Sequence, residues 1–297
     1  MRHLLGIEGL RRADIEALLD RAEAHLQGGP DASHVLRGKV VANLFFEDST
    51  RTRTSFEMAA HALGAEVLNW TAAGSSVSKG ETLLDTVRNI EATGPVALII
   101  RHRASGAPHL AAKHVRCAVI NAGDGTHEHP SQGLLDAFTL RRHWGRLDGR
   151  TVVIVGDVFH SRVARSNLHC LTALGAKVVL CGPPTLLPPG LESFGAEVST
   201  NLDAVLPHAD AVMCLRVQTE RQSEHFFPSA REFSRLYGLN AARAEKLKPE
   251  ALVMHPGPMN RGVEIGPAVA DGPRSVILEQ VAYGVAVRRA ILEVVCR

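Results

Sequence analysis

Short apolar segments alternate with helical segments along this chain, and that alternation limits the possible folds more than any other feature. Apolar runs of this length are typical of buried parallel strands, and the segments between them carry apolar residues at helical spacing. We therefore predict an α/β fold with parallel sheets covered by helices on both faces. Strands are predicted at residues 39–46, 65–70, 96–102, 117–122, 151–155, 176–181, 196–199, 209–216 and 251–254. Helices are predicted at residues 11–25, 53–63, 79–92, 107–113, 131–144, 162–174, 188–194, 202–206, 241–247 and 276–295.

The alternation occurs in two sets, separated by the glycine-bounded segment 145–149. A chain of 297 residues is long enough for two domains. We predict two doubly wound domains, at residues 1–144 and 145–274, with a C-terminal helix (275–297) that packs back on the first. Ligands of such sheets bind outside the carboxyl ends of the strands. Because every polar cluster described below follows a strand, we expect one site in the cleft between the domains.

Composition excludes several classes of protein. A net charge of +2 and scattered arginines do not indicate a nucleic-acid partner. The first ten residues lack the apolar core of a signal peptide, and no apolar stretch approaches the length that crosses a membrane. The five cysteines lack metal-binding spacing, so we expect buried, reduced thiols in a cytoplasmic protein.

Hydroxyl and guanidinium groups are concentrated at residues 48–55, DSTRTRTS, between a predicted strand and a predicted helix. Free N–H groups and the helix dipole favour an anion at such a turn. A helix cap followed by solvated residues would need only one hydroxyl. Four consecutive residues of this kind favour a phosphate cradle made by Ser49, Thr50, Arg51 and Thr52.

Further polar residues follow the next two predicted strands. Arg101 ends one of them. Taken alone it could be an ordinary solvated strand end, but beside the Ser49–Thr52 turn it would add a second guanidinium to the same phosphate. His129 and Gln132 lie one helical turn apart and are interpreted as hydrogen-bond donors to a neutral polar group, or as an ordinary helix start. The spacing of His127 and His129 allows metal binding, but no third ligand pattern accompanies it, so we predict no metal.

A loop, a helix start and a strand end carry other candidates. Ser75 and Lys79 belong to a small polar loop that is either surface or reaches an anion. Arg162 opens a predicted helix, and Arg216 ends a predicted strand just before Gln218; these groups suit carboxylates. The polar stretch 219–240 that follows is interpreted as a lid.

The last predicted strand runs into His255-Pro256-Gly257-Pro258. The prolines fix the backbone, so Pro256 and Gly257 either present carbonyl oxygens to a ligand or form a plain turn. Dinucleotide and P-loop signatures are missing from the sequence, as are Ser-His-Asp and Cys-His sets. The inventory suits transfer from an acyl phosphate to a dicarboxylic acceptor by positioning and electrostatics.

Seven motifs are spread along the chain: FFEDSTRTRTSFE, SSVSKGETLLDT, RH at Arg101, NAGDGTHEHPSQGLLDAFT, IVGDVFHSRVARS, LRVQTER and HPGPMNRGVEI. On these motifs the chain resembles the aspartate/ornithine carbamoyltransferase family nearly from end to end. Among the members of that family, the KGET loop and the segment at His255–Pro258 resemble those whose acceptor is aspartate.

The resemblance implies a transferase that moves the carbamoyl group of carbamoyl phosphate to L-aspartate, giving N-carbamoyl-L-aspartate and phosphate in pyrimidine (UMP) biosynthesis. It implies no cofactor. The implied catalytic residues are Arg51, Thr52, Arg101 and His129. The implied carbamoyl phosphate ligands are Ser49, Thr50, Arg51, Thr52, Arg101, His129, Gln132, Pro256, Gly257 and Pro258. The implied aspartate ligands are Ser75, Lys79, Arg162, Arg216 and Gln218.

The implied assembly is a homotrimer in which Ser75 and Lys79 enter a neighbouring subunit's site. A regulatory chain or another pyrimidine enzyme is left open as a partner, and no nucleic acid or membrane is expected. Two other functions stay open: a carbamoyltransferase with a different amino-acid acceptor, and a phosphate-binding or scaffolding paralogue without activity.

Overall fold

The computed structural model describes residues 1–28, 32–72, 80–217 and 229–296. Its internal contacts divide the chain into two units, Met1–Phe138 with Val281–Arg297 and Thr139–Gln280. The chain therefore passes from the first unit to the second within one helix and returns within another.

The first unit contains a parallel sheet with the strand order β2-β1-β3-β4. The two central strands and β4 are buried along most of their length, which explains the continuous apolar runs in the sequence. Its strands are β1 Val40–Phe45, β2 Glu66–Thr71, β3 Ala97–His102 and β4 Ala118–Asp124. Its helices are α1 Arg12–Leu26, α2 Thr50–Ala62, α3 Leu83–Glu91 and α4 Ala107–Ala112, together with parts of α5 Pro130–Trp144 and α11 Ile277–Val295.

The second unit contains a parallel sheet with the strand order β7-β6-β5-β8-β9. Its central strands β5 and β8 are buried, and β7 lies at the edge with two exposed side chains. Its strands are β5 Thr151–Val155, β6 Lys177–Cys181, β7 Ala196–Ser199, β8 Ala211–Cys214 and β9 Leu252–Met254. Its helices include α6 Arg162–Ala173, α7 Leu202–Val205, α8 Ala230–Tyr237, α9 Ala241–Ala244 and α10 Pro267–Ala270.

The predicted α/β class with two parallel sheets is confirmed, and the predicted strands agree with the observed ones to within a few residues. The α-helix predicted at 188–194 is wrong, because this segment holds a single 3-10 turn, Leu191–Phe194, which begins after Gly190 at a positive φ of 83°. The predicted lid, 219–240, is described from residue 229 onward, where α8 packs Phe233 and Tyr237 into the core; the lid itself stays a prediction.

The described cysteines agree with the expectation of free thiols, since four are buried and Cys117 is half-buried. Burial raises the pKa of Cys117, Cys181 and Cys296 to about 12, which keeps these thiols protonated and unreactive. Among the helices of the described ranges, none has the length and apolar character to cross a membrane.

Candidate active site

Three neighbouring strands of the first sheet end where the polar motifs begin. Phe45 of β1 pairs with Arg101 of β3, and β4 lies on the other side of β3. The chain then turns from β1 into α2, and from β4 into the segment that leads to α5. The order of the strands therefore brings the DSTRTRTS turn, Arg101 and the segment around His129 to one edge of the sheet.

The helix that follows β1 begins earlier than we predicted. It starts at Thr50 rather than near residue 53, so Thr50, Arg51 and Thr52 form its first turn. Ser49 is the N-cap residue, with extended backbone (φ −161°, ψ 99°), and makes no capping hydrogen bond within the described residues. The first N–H groups of a helix have no partner inside the helix, so this turn presents donors as well as hydroxyls to an anion.

Thr52 and His129 are brought into contact although they are 77 residues apart. The Thr52 Oγ1 atom lies 3.5 Å from Nε2 of His129, and both side chains are buried. Arg101 belongs to β3, which lies between β1 and β4 in the sheet. Its Nη1 donates to the Ala122 carbonyl oxygen at 3.3 Å, and its Nε lies 3.3 Å from Oε2 of Glu47. The carboxylate and the carbonyl hold the guanidinium at the sheet edge.

Gln132 makes a hydrogen bond within α5 that we did not predict. Its Nε2 donates to Oδ1 of Asp136 at 2.9 Å, one turn further along α5, and Asp136 is fully buried. A carboxylate oxygen accepts, which sets the orientation of the amide; the second N–H on Nε2 and the Oε1 atom of Gln132 can then face a ligand. The pair has the i, i+4 spacing of helical neighbours, a signal that the sequence already contained.

The carboxyl edge of the second sheet is built in the same way from β5, β8 and β9, which are neighbours. Arg162 is the first residue of α6 after β5, and its side chain is buried. The hydroxyl of the N-cap residue Ser161 accepts from the Ala164 N–H at 3.1 Å, which fixes the start of this helix. Arg216 lies two residues beyond β8 and is half-buried.

The turn after β9 is fixed by a buried pair that sequence reasoning did not identify. His255 Nδ1 accepts from the Gly257 N–H at 2.8 Å, so the ring proton is on Nε2, which donates to Oε1 of Glu264 at 3.1 Å. The same Oε1 accepts from the Asn260 N–H at 2.5 Å. Both side chains are almost fully buried, and the Gly257–Pro258 peptide bond is cis. Glu264 is nine residues from His255, and no local spacing rule points to it.

Three of the predicted site residues, Ser75, Lys79 and Gln218, lie outside the described residues. The others fall into two sets within the two units. Ser49, Thr50, Arg51, Thr52, Arg101, His129 and Gln132 lie at the edge of the first sheet, and Arg162, Arg216, Pro256, Gly257 and Pro258 at the edge of the second.

Comparison with known proteins identifies the family. Residues 2–142 match the family model described as the carbamoyl-P binding domain of aspartate/ornithine carbamoyltransferase, and residues 148–295 match that of its Asp/Orn binding domain. The chain belongs to the aspartate/ornithine carbamoyltransferase family. The resemblance predicted from the motifs is therefore confirmed, and the chain is a transferase by family.

Individual members of the family give a finer comparison. The chain is 80% identical to the aspartate carbamoyltransferase catalytic subunit of Myxococcus xanthus, over 99% of each chain. It is 31% identical to the aspartate transcarbamoylase of Trypanosoma cruzi in complex with carbamoyl phosphate and aspartate, covering 98% and 96% of the two chains with a TM-score of 0.88. It is 26% identical to the ornithine carbamoyltransferase of Thermus thermophilus, covering 100% and 99% with a TM-score of 0.90.

Proposed function

We propose that this chain transfers the carbamoyl group of carbamoyl phosphate to the amine of L-aspartate, giving N-carbamoyl-L-aspartate and phosphate. The observation that carries this proposal is the high identity to the Myxococcus xanthus catalytic subunit along practically the whole chain. The backbone fold alone does not distinguish aspartate from ornithine as the acceptor, since an ornithine enzyme superposes as well as an aspartate enzyme does. The sequence distinguishes them, through the KGET loop and His255–Pro258.

The first unit carries the groups suited to carbamoyl phosphate. The phosphate is assigned to the first turn of α2 with Arg101, because hydroxyls, N–H groups and guanidinium groups together satisfy its oxygens. The carbamoyl carbonyl oxygen is assigned to Thr52, Arg101 and His129, and Oε1 of Gln132 accepts from the carbamoyl amide. The Pro256 and Gly257 carbonyls, with Pro258 in the same turn, are assigned to that amide as well.

The second unit carries the groups suited to aspartate. Arg162 and Arg216 each offer a planar set of donors that fits a carboxylate, and Gln218 adds an amide. In this proposal residues 1–144 form the carbamoyl phosphate domain, residues 145–274 the aspartate domain, and 275–297 a helix of the first domain. The cleft between the two domains stays a prediction.

The reaction follows from these assignments. The neutral amine of aspartate attacks the carbamoyl carbon, and the carbonyl electrons move to oxygen to give a tetrahedral oxyanion. Thr52, Arg101 and His129 donate to this oxygen and Arg51 to the phosphate, where charge also develops. The C–O bond to phosphate then breaks, and the phosphate takes the amine proton. One such donor contributes about 3 kcal/mol to lowering the barrier.

We infer the assembly and setting from the family resemblance alone. The chain is expected to work as a homotrimer in the cytoplasm, with Ser75 and Lys79 entering the site of a neighbouring subunit, in the pyrimidine pathway. A regulatory chain or a second pyrimidine enzyme remains a possible partner. The native mass of the isolated protein tests the trimer directly.

The decisive experiment is an acceptor assay on the purified chain. We expect carbamoyl phosphate and L-aspartate to yield N-carbamoyl-L-aspartate and one phosphate per turnover, and L-ornithine to yield no product above the uncatalysed rate. Arg216→Ala should lower kcat/KM for aspartate about 100-fold or more, whereas Arg235→Ala, on the exposed surface of α8, should not change it. A preference for ornithine would overturn the proposal, and a folded trimer without product would favour the scaffolding alternative.

A further inference from the structure

A group of metal-binding side chains lies next to the first sheet edge. His109 on α4, Asp124 at the end of β4 and His127 in the following segment each place one ligand atom within 4.8 Å of the others. They form the one such group found among the described residues. From the sequence we predicted no third ligand for His127, because His109 lies 18 residues away and on another element.

The separation of two of these ligands already fits a bound ion. Nδ1 of His127 lies 3.2 Å from Oδ2 of Asp124. Ligands of a tetrahedral ion with bonds of roughly 2.0–2.2 Å are separated by about 3.3–3.6 Å. An ion at this position would take the place of the hydrogen that Nδ1 of His127 now shares with Asp124. The displaced proton moves to Nε2 of His127, which leaves the imidazole neutral.

The third ligand has a nitrogen that needs a partner. Nδ1 of His109 is buried and has no hydrogen-bond partner in the described part of the chain. A buried ring nitrogen without a partner is unfavourable, because it has lost its hydrogen bond to water and gained none in return. The His109 and His127 rings are close, with centroids 5.4 Å apart, and both residues are only half-buried. A small movement of the half-buried His109 ring would complete the coordination, and solvent provides a path for the ion.

The surrounding backbone holds the ligands in place. Asp124 is fully buried, and its oxygens accept from Asn121 Nδ2 at 2.8 Å and from the Gly106 N–H at 2.6 Å. Gly125 leaves no room for a side chain, since an added Cβ would lie 2.7 Å from the Ser105 nitrogen. The segments that carry His109 and His127 are therefore packed against each other.

We propose that His109, Asp124 and His127 bind one divalent first-row transition-metal ion, with Zn²⁺ the best match. Two imidazoles and one carboxylate are the ligands that such ions prefer, and Mg²⁺ and Ca²⁺ prefer oxygen alone. Three protein ligands leave a fourth position for water. The ion would tie α4 to the segment that leads to His129, and so would act as a structural clamp beside the proposed site.

The proposal is tested by adding metal to the full-length, untagged chain after a chelator has removed any bound ion. We expect calorimetry to detect one Zn²⁺ per chain, a higher Tm with Zn²⁺ than with Mg²⁺, and a strong visible absorption from bound Co²⁺ in a four-coordinate site. His109→Ala should weaken Zn²⁺ binding by more than about tenfold and remove the Co²⁺ absorption, because it removes one ligand but leaves the Asp124 hydrogen bonds intact.

His114→Ala is the matched control, since His114 is exposed and lies five residues after His109. It should retain both the Zn²⁺ affinity and the Co²⁺ spectrum. The proposal is overturned if the unmodified chain binds no Zn²⁺, or if His109→Ala binds it as tightly as the control does. Metal binding is read without any assay of carbamoyl transfer, so either result leaves the proposed function untouched.

Discussion

In the first unit, the polar groups at the carboxyl edge of the sheet come largely from one helix start, Ser49 to Thr52, supplemented by single residues from the two next strands. In the second unit, the corresponding edge depends on a backbone turn that a buried pair, His255 and Glu264, holds in place. A helix start presents its donors through local geometry, whereas a turn that presents carbonyl oxygens needs distant side chains to fix it. The first edge should therefore respond to substitution mainly in activity, and the second in both activity and stability.

The largest effect is expected from Arg101→Ala. In the proposed mechanism Arg101 donates to the oxygen where charge develops, so its loss should lower kcat roughly 10²- to 10³-fold, about 3–4 kcal/mol of barrier. The free energy of unfolding should change far less, because the Glu47 partner is part-exposed. Arg103→Ala is the control, since Arg103 is exposed and only two residues away. Steady-state kinetics with both variants measures the difference. If Arg101→Ala is as active as Arg103→Ala, Arg101 does not take part in the reaction.

The support behind the first edge gives the second prediction. Arg288 is almost fully buried over the Phe56 ring, and burial lowers its pKa to about 10, with the charge of Asp136 opposing that shift. Asp136→Asn keeps an oxygen that can accept from Gln132 but removes the charge that compensates Arg288. A buried charge left without its compensating charge costs about 3 kcal/mol or more.

Urea unfolding of Asp136→Asn, Arg288→Met and the double variant measures this coupling. The double variant should lose less stability than the sum of the two single variants, because the residues interact. Arg165→Met is the control, as Arg165 is an exposed arginine on α6. Additive losses would show that Asp136 and Arg288 act independently.

The same contrast explains how much the sequence predicts. The strands, both sheets and the first-edge cluster follow from apolar runs and from hydroxyl and guanidinium groups that are consecutive in the chain. The contact between Gln132 and Asp136 could have been predicted, since the two residues lie four apart on a predicted helix. The contacts of Glu264 and His109 could not have been predicted, because they depend on which strands become neighbours. The start of α2 was predicted about three residues late, since polar residues in a first turn look like a loop.

The third prediction tests the second edge. Glu264→Ala leaves the Nε2–H of His255 and the Asn260 N–H without their acceptor, which should cost about 2 kcal/mol of unfolding free energy. The loosened turn should also raise KM for carbamoyl phosphate. Glu264→Gln keeps an acceptor oxygen and should lose markedly less of both. Glu250→Ala, on the surface, controls for removal of a charge. A loss of activity with unchanged stability would mean that the two edges are built alike.

The smallest effect concerns the opposite end of the second sheet, where the strands begin. Oδ2 of Asp210 accepts from the Thr151 N–H at 2.8 Å, and Oδ1 pairs with Lys248 Nζ at 2.9 Å. Burial alone would raise the pKa of Asp210, but these two hydrogen bonds hold it below its ordinary value. Its stabilisation is thus complete above about pH 4 and is lost as the pH falls through the lowered pKa.

Asp210→Asn should therefore cost about 1 kcal/mol at pH 7 and progressively less below pH 4. Urea unfolding of both proteins between pH 3 and pH 7 measures the difference. Asp148→Asn, which alters an exposed ion pair with Arg146, should change stability little at any pH. Carbamoyl transfer by Asp210→Asn should stay unchanged at pH 7, because ligands of parallel sheets bind at the carboxyl ends of the strands. A large loss of activity would mean that the amino end of this sheet also serves the reaction.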